Sequence, residues 1–263
     1  MLTGIDHLVV AVDHLDGAAS EVERRLGLSV SGGGRHERLG TANRLAWLGD
    51  AYLELLAVED RDLAATSWVG RPALEALARG GGLATYALAS DDLAADLEQL
   101  RAGGAVLEGP VPGERRRPDG ETVRWWLGVP ERLGPDLAPF LIEHEAAGVE
   151  WGPGAREERR RLVHPFGGRA RLAGLELAVA DPDAVALAYR DRLGVALAAQ
   201  PDGARGRSVG VEPTIGTIRV VRAGAGVAAA TILIEMSAGS ARDVDLLGCR
   251  FRLAVPGYRA APG

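Results

Sequence analysis

The sequence predicts an α+β protein built from tandem βαβββ units that form curved mixed sheets. Three observations carry this. One phrase recurs, as IDHLVVAVDHLDGAASEVERRLGLSV at residues 5–30, LATYALASDDLAADLEQLRAGGAVL at 83–107 and LAGLELAVADPDAVALAYRDRLGVAL at 172–197. Each copy is an apolar run, an Asp, a helical stretch, a Gly and a further apolar run. Asp13, Asp91 and Asp181 stand where strand gives way to helix; a short carboxylate there accepts from free N–H groups of the first turn and meets the positive end of the dipole. Gly27, Gly103 and Gly194 stand where the helix stops, a place where a left-handed backbone is cheap only as Gly.

In the first unit the strands after the helix fall at about 28–32, 42–49 and 52–58, and in the second at about 105–108, 121–128 and 139–145. Residues 66–82 read as a helix and glycine-rich link between these units. The third unit gives 172–180, a helix at 182–193, then 195–200, 206–211 and 216–222. VAAATILIEMS and LLGCRFRLAVP add two more strands with no long helix between them, a degenerate fourth unit. Residues 147–171 hold Gly, Pro and the run REERRRLVHPFGGRAR, the natural boundary. The expected organisation is therefore a first domain at 1–150, whose two paired units form a cup, and a second at 165–263. VPGYRAAPG should be a loose tail.

With 263 residues, 47% hydrophobic and 25% charged, the composition is that of an ordinary globular protein. The net charge of −6 argues against a general binder of nucleic acid or of anionic membranes. All 30 basic side chains are Arg, a pattern that points to coding bias. No apolar run reaches the roughly 18 residues of a membrane span, and the N-terminus lacks the basic lead-in of a signal peptide, so a cytoplasmic protein is expected. The single cysteine, Cys249, cannot form an internal disulfide and reads as an inert buried thiol.

Strand parity selects candidate site residues. In IDHLVVAV, His7 shares a face with Ile5, Val9 and Ala11; in AYLELLAV, Glu54 shares a face with Tyr52 and Leu56; in PFLIEHE, Glu143 shares a face with Leu141, with His144 opposite and under a helix. A buried carboxylate such as Glu54 costs several kcal/mol unless something charged or hydrogen-bonding meets it. An imidazole and two carboxylates suit a divalent first-row metal such as zinc, manganese, iron or nickel. The alternative for Glu54 is an ion pair with Arg44 or Arg124 on neighbouring strands.

The paired βαβββ units resemble the vicinal oxygen chelate superfamily. GGRHERLGTANRLAWLGDAYLELLAV, RRRPDGETVRWWLGVP, APFLIEHE and LVHPFGGRARLAGLELAVADP resemble its glyoxalase-like domain branch, over roughly residues 3–181. The resemblance implies a cup with metal ligands on the first and last strands of each unit, matched by His7, Glu54 and Glu143. It puts Thr85, a poor ligand for these metals, where a second-unit His often stands, so Thr85 is read as a substrate-binding candidate instead. In the matching hairpin, His36, Thr41 and Asn43 are candidates to bind a ligand carbonyl or hydroxyl. Trp126, with Arg124 on its face, is a candidate wall and acid-binding group; Trp125 points the other way, and parity alone does not say which of the two rings faces the cup. His14 and His164 read as structural, and Glu235 as a residue of an ordinary strand.

No glycine-rich nucleotide loop and no nucleophile elbow is present. The resemblance implies an enzyme acting on a small oxygenated metabolite, of lyase, isomerase or dioxygenase type, with a divalent metal in one version and Glu54, set among leucines, as the better placed general base. The other version is a metal-free protein that sequesters a small molecule. No nucleic-acid or membrane partner is expected, and the chain is read as a monomer or homodimer.

Overall fold

A computed structural model describes residues 2–134, 138–165, 168–193, 198–199, 206–209, 217–224 and 228–255. The first unit is β1 (Leu2–Ala11), α1 (Leu15–Leu26), β2 (Ser31–His36), β3 (Thr41–Leu48) and β4 (Ala51–Val58). Two short helices, α2 (Arg61–Thr66) and α3 (Gly70–Ala78), stand where one helix was expected. The second unit is β5 (Gly82–Ser90), α4 (Leu93–Ala102), β6 (Leu107–Arg116), β7 (Thr122–Pro130) and β8 (Phe140–His144). The connector carries α5 (Pro153–Arg161). Then come β9 (Ala170–Val179), α6 (Pro182–Leu193), β10 (Ala198–Ala199), β11 (Gly206–Val209), β12 (Thr217–Arg222), β13 (Ala230–Met236), β14 (Arg242–Leu246) and β15 (Cys249–Ala254).

The first two units join into a closed barrel of order β1-β4-β3-β2-β6-β7-β8-β5. One seam is the long antiparallel pairing of β1 with β5. The other is a single pairing, Arg35 with Arg116, between β2 and β6. Glycine makes that second seam: a Cβ on Gly34 would lie 2.2 Å from the Arg116 carbonyl oxygen. The rest forms a seven-stranded sheet, β10-β11-β12-β9-β13-β15-β14. Its last three strands are the degenerate fourth unit. β14 was missed from sequence because its alternating Arg-Asp-Val-Asp carries little apolar signal; it turns back to β15 through Leu247 and Gly248, both at positive φ.

The helix-start residues differ in detail from the expected pattern. Asp181 Oδ1 accepts from the backbone N–H groups of Asp183 and Ala184 at 3.0 and 3.2 Å, as expected. In the second unit it is Asp92 that caps, accepting from Ala95 N–H at 3.0 Å, and α1 starts at His14 without a side-chain cap. Gly27 ends α1 in the left-handed region at φ 71°. After α4 the left-handed residue is Gly104, with Gly103 still right-handed. Gly194 lies outside the described residues.

Two apolar layers position the site. Leu8, Val10, Leu53, Leu55, Leu88 and Leu141 face outward under α1 and α4 and share one core with Leu175, Leu177, Ile232, Ile234 and Phe251 of the second sheet. Each such side chain is worth roughly 1.5–3 kcal/mol of burial. Val9, Ala11, Leu56, Ala87, Leu127 and Ile142 face inward, with Val69, Ala73 and Ala76 from the α3 segment closing that end of the lumen. The second sheet's other face carries cross-strand ion pairs, Arg171 with Glu235, Arg219 with Glu176, Arg250 with Asp245 and Arg252 with Asp243. Glu235 thus belongs to a solvated ladder. Cys249 is buried, and burial pushes its thiol up to about 12. Among the described residues no helix is long and apolar enough to cross a membrane.

Candidate active site

Further along the lumen the inward layer gives way to buried polar groups. The cause is a bulge in β1. Ile5 pairs with Leu88 and His7 with Ala87, so Asp6 is the unpaired extra residue. Ile5 packs in the outer layer, and both Asp6 and His7 turn inward, 3% and 3% exposed. The expected shared face of Ile5 and His7 is therefore broken at Asp6.

Asp6 gathers two imidazoles. His7 Nδ1 lies 2.6 Å from Asp6 Oδ1, and His144 Nε2 lies 3.1 Å from both Asp6 oxygens. Burial pushes the Asp6 carboxyl up, but the neighbouring His144 and His7 outweigh it and hold it well below the usual carboxylate range. An ionised carboxylate only accepts, so both ring nitrogens donate to it. His7 Nε2 then faces Glu54 Oε2 at 3.4 Å. The other oxygen, Glu54 Oε1, accepts from Asn43 Nδ2 at 2.6 Å, and Asn43 Oδ1 accepts from Gly34 N–H at 2.9 Å. That last bond needs the β2 bulge between Ser31 and Gly34, where a Cβ on Gly33, at φ +57°, would lie 2.0 Å from the Asn43 carbonyl oxygen. The result is one buried chain, Asn43, Glu54, His7, Asp6, His144.

Around it lies a chamber with a cavity volume of about 40 Å³. Tyr52, Trp68, Trp125, Phe140 and Trp151 wall it. Tyr52 stacks on His7 at 4.5 Å, and Trp151 on His144 at 3.7 Å. Burial and the charges of Asp6 and Glu54 push the Tyr52 hydroxyl well above its ordinary value. His36, bonded through Nδ1 to Thr41 Oγ1 at 3.0 Å, meets Trp125 edge to face. Burial lowers the His36 pKa to about 4 against the pull of Glu54. From β6, Arg115 enters the lumen and its Nη2 donates to Glu150 Oε2 at 2.6 Å. The same carboxylate accepts from Arg117 Nη1 at 3.1 Å. Glu150 and Trp151 come from the connector, which is held by Arg159: its guanidinium lies over Trp47 and Trp151 and donates to the Glu150 carbonyl.

Of the residues read from sequence, His7, His36, Asn43 and Glu54 line this chamber. Thr41 is buried behind His36. Thr85 pairs with Val9, is 0% exposed and does not line the chamber. Glu143 is the first correction. Its Oε2 accepts from Leu93 N–H at 2.8 Å, so it serves the start of α4 on the outer surface while His144 turns inward, the reverse of the expected parity. Trp126 is the second. It pairs with Glu143 on the outside and is 38% exposed, and Trp125 is the inward one. Arg124 shares that outer face, 3.9 Å from Glu145, and Arg44 pairs with Asp16. Neither meets Glu54, whose partners are Asn43 and His7. His164 is structural, accepting from Ser29 N–H and donating to the Trp47 carbonyl, both at 3.0 Å.

Sequence reasoning does not single out Asp6, Arg115, His144, Glu150 and Trp151 as site residues. The consecutive polar pair Asp6-His7 in an apolar strand is a readable bulge signal. For the connector residues there was none.

The donor set does not fit the expected metal. Glu143 points away, Thr85 is outside the chamber, and Asp6 occupies a nitrogen of both His7 and His144. Among the described residues no group of three or more His, Cys, Asp or Glu side chains is arranged to hold a metal ion.

The chain matches the family model described as "Glyoxalase-like domain" over residues 5–193, and it belongs to that family. Its fold is the vicinal oxygen chelate fold. A crystal structure of a hypothetical protein from Staphylococcus aureus is similar over 96% of this chain and 99% of that one, with TM-score 0.76 and 17% identity. A variant of Streptomyces coelicolor methylmalonyl-CoA epimerase aligns with 56% of this chain and 99% of its own, at 23% identity and TM-score 0.42. The Mycobacterium tuberculosis methylmalonyl-CoA epimerase aligns with 48% and 79%, at 24% identity and TM-score 0.37. No curated protein matches the chain.

Proposed function

We propose that the chain is a proton-transferring enzyme of isomerase or lyase type, acting on a small oxygenated molecule in the barrel chamber with Glu54 as general base. The observation that carries this reading is a carboxylate 5% exposed, fixed at Oε1 by Asn43 and facing the His7 ring through Oε2. A positioned carboxylate in an enclosed chamber is the requirement for removing a proton from carbon. Glu54 Oε2 takes the proton from a carbon beside a carbonyl, the C–H electron pair moves into the carbonyl to leave an enolate, and Glu54 returns the proton to the substrate. His7, held by Asp6, keeps its Nε2 toward Oε2. No step is routed through a metal, because Glu143, the third expected donor, serves the start of α4 instead of facing His7 and Glu54.

The test is proton–deuterium exchange at the methylene of hydroxyacetone in D₂O, followed by NMR. The full chain accelerates it over buffer, and Glu54→Gln, with unchanged circular dichroism, does not. Exchange in Glu54→Gln at the wild-type rate overturns the base role. The aromatic walls support a second reading, a metal-free binding protein. It predicts quenching of tryptophan fluorescence by small ligands with no exchange.

A further inference from the structure

Among the described residues that line the chamber, two carry a buried polar atom with no hydrogen-bond partner: Arg115 at Nη1 and His144 at Nδ1. Their side chains are 4% and 7% exposed. Leaving such atoms unpaired in a protein interior is costly, so each points to a ligand group. Their chemistry differs. Arg115 Nη1 can only donate. The Arg115 Nη2 is taken by Glu150, a carboxylate it shares with Arg117, which also pairs with Asp119, and Nη1 is left over. His144 donates through Nε2 to the ionised Asp6. Burial, the largest influence on it, lowers its pKa and favours the neutral ring, so Nδ1 is a lone pair that accepts.

The two atoms belong to one wall. Arg115 pairs across the sheet with Val123, and His144 with Trp125, two residues further along the same strand. Arg115 holds Glu150, and His144 stacks on the next residue, Trp151.

We propose that this wall is a subsite for a small carboxylate that also bears a hydroxyl: the carboxylate accepts from Arg115 Nη1 and the hydroxyl donates to His144 Nδ1. The ligand is short, because the chamber is small, with a cavity volume of about 40 Å³ inside aromatic walls. This deepens the preceding reading. With Glu54 as base, the substrate class is a hydroxylated 2-oxo carboxylate, whose carbon between the carbonyl and the hydroxyl gives up the proton.

The probe is 3-hydroxypyruvate, compared with hydroxyacetone, which lacks the carboxylate, and pyruvate, which lacks the hydroxyl. Binding to the full chain is measured by calorimetry. Hydroxypyruvate binds about tenfold or more tightly than either analogue, as expected for a charge-assisted bond or a buried acceptor left unpaired. Arg115→Gln removes that preference for the acid. So does Arg115→Gln with Glu150→Gln, which removes both charges of the buried pair and controls for a folding defect. Hydroxyacetone binding as tightly as hydroxypyruvate, or neither acid binding the wild type, overturns the proposal. The base reading fails separately: hydroxypyruvate that binds through Arg115 without C3 exchange above the buffer rate keeps the subsite and removes Glu54 as base. Exchange of hydroxyacetone with no preference for the acid does the reverse.

Discussion

His144 on the last strand of the barrel reaches Asp6 on the first, its Nε2 3.1 Å from both carboxylate oxygens across 138 residues of sequence. With His7 Nδ1 at 2.6 Å, Asp6 is a buried anion held by two rings. Replacing it by Asn removes the charge and leaves one ring short of its acceptor. The expected cost is about 3 kcal/mol, in the range for breaking a buried charged pair. Urea unfolding measures it, and a change below about 1 kcal/mol contradicts the assignment.

Stability falls with acid in two windows. The folded His36 pKa, about 4, lies below its ordinary 6.5, so the unfolded chain binds the extra proton first. The stability that neutral His36 allows is present above about pH 6.5 and is lost as pH drops toward about 4, by up to about 3 kcal/mol. His144 acts in the same direction. The lowered Asp6 carboxyl stabilises above the unfolded carboxylate range, near pH 4, and this is lost as pH falls further. Denaturation across pH checks both, and His36→Asn flattens the upper window.

Gly34→Ala opens the single-pair seam between β2 and β6, since its Cβ meets the Arg116 carbonyl oxygen at 2.2 Å. The expected loss is about 1–3 kcal/mol, typical of overpacking. Gly17→Ala in α1, where nothing lies within 4 Å, is the control, and it gains about 0.5–1 kcal/mol. Thermal melts of both variants compare the two.

Equilibrium dialysis against zinc, manganese, iron and nickel is expected to give less than one bound equivalent, with no difference between wild type and Glu143→Ala. One equivalent that vanishes in both His7→Ala and Glu143→Ala restores the triad read from sequence.

Trp125→Ala enlarges the chamber and weakens hydroxypyruvate binding, whereas Trp126→Ala leaves binding within about twofold, since that ring lies outside. Equal effects of the two overturn the placement of the chamber wall.

The repeat of strand, helix and three strands was legible because its signals are local: alternation, a helix-start Asp, a terminal Gly. Glu54 stood out as a lone carboxylate in an apolar strand, and Asn43 and His36 through the resemblance of their hairpin. The errors arose where the period of two breaks or lacks an absolute phase. The bulge at Asp6 puts two neighbours on one face. In β7 and β8 alternation separates Trp125 from Trp126 and Glu143 from His144 without fixing which of each pair turns inward, and the two strands share one phase because they pair. Arg115 escaped because β6 runs to Arg116, well past the apolar residues that suggested it. Glu150 and Trp151 escaped because a connector's packing is a tertiary fact with no period.

The connector has a bearing on ancestry. Folds made of repeated halves are commonly cut, swapped and rejoined at the linker, and the linker itself is usually free to vary. Here Glu150 and Trp151 form part of the chamber wall, and Arg159 of α5 fastens them. A recombination event that replaced the second half together with its leader would carry away Arg115's partner and the surface under His144. The linker is thus a structural member of the first half, and changing its length between Glu150 and Arg159 would alter the chamber wall itself.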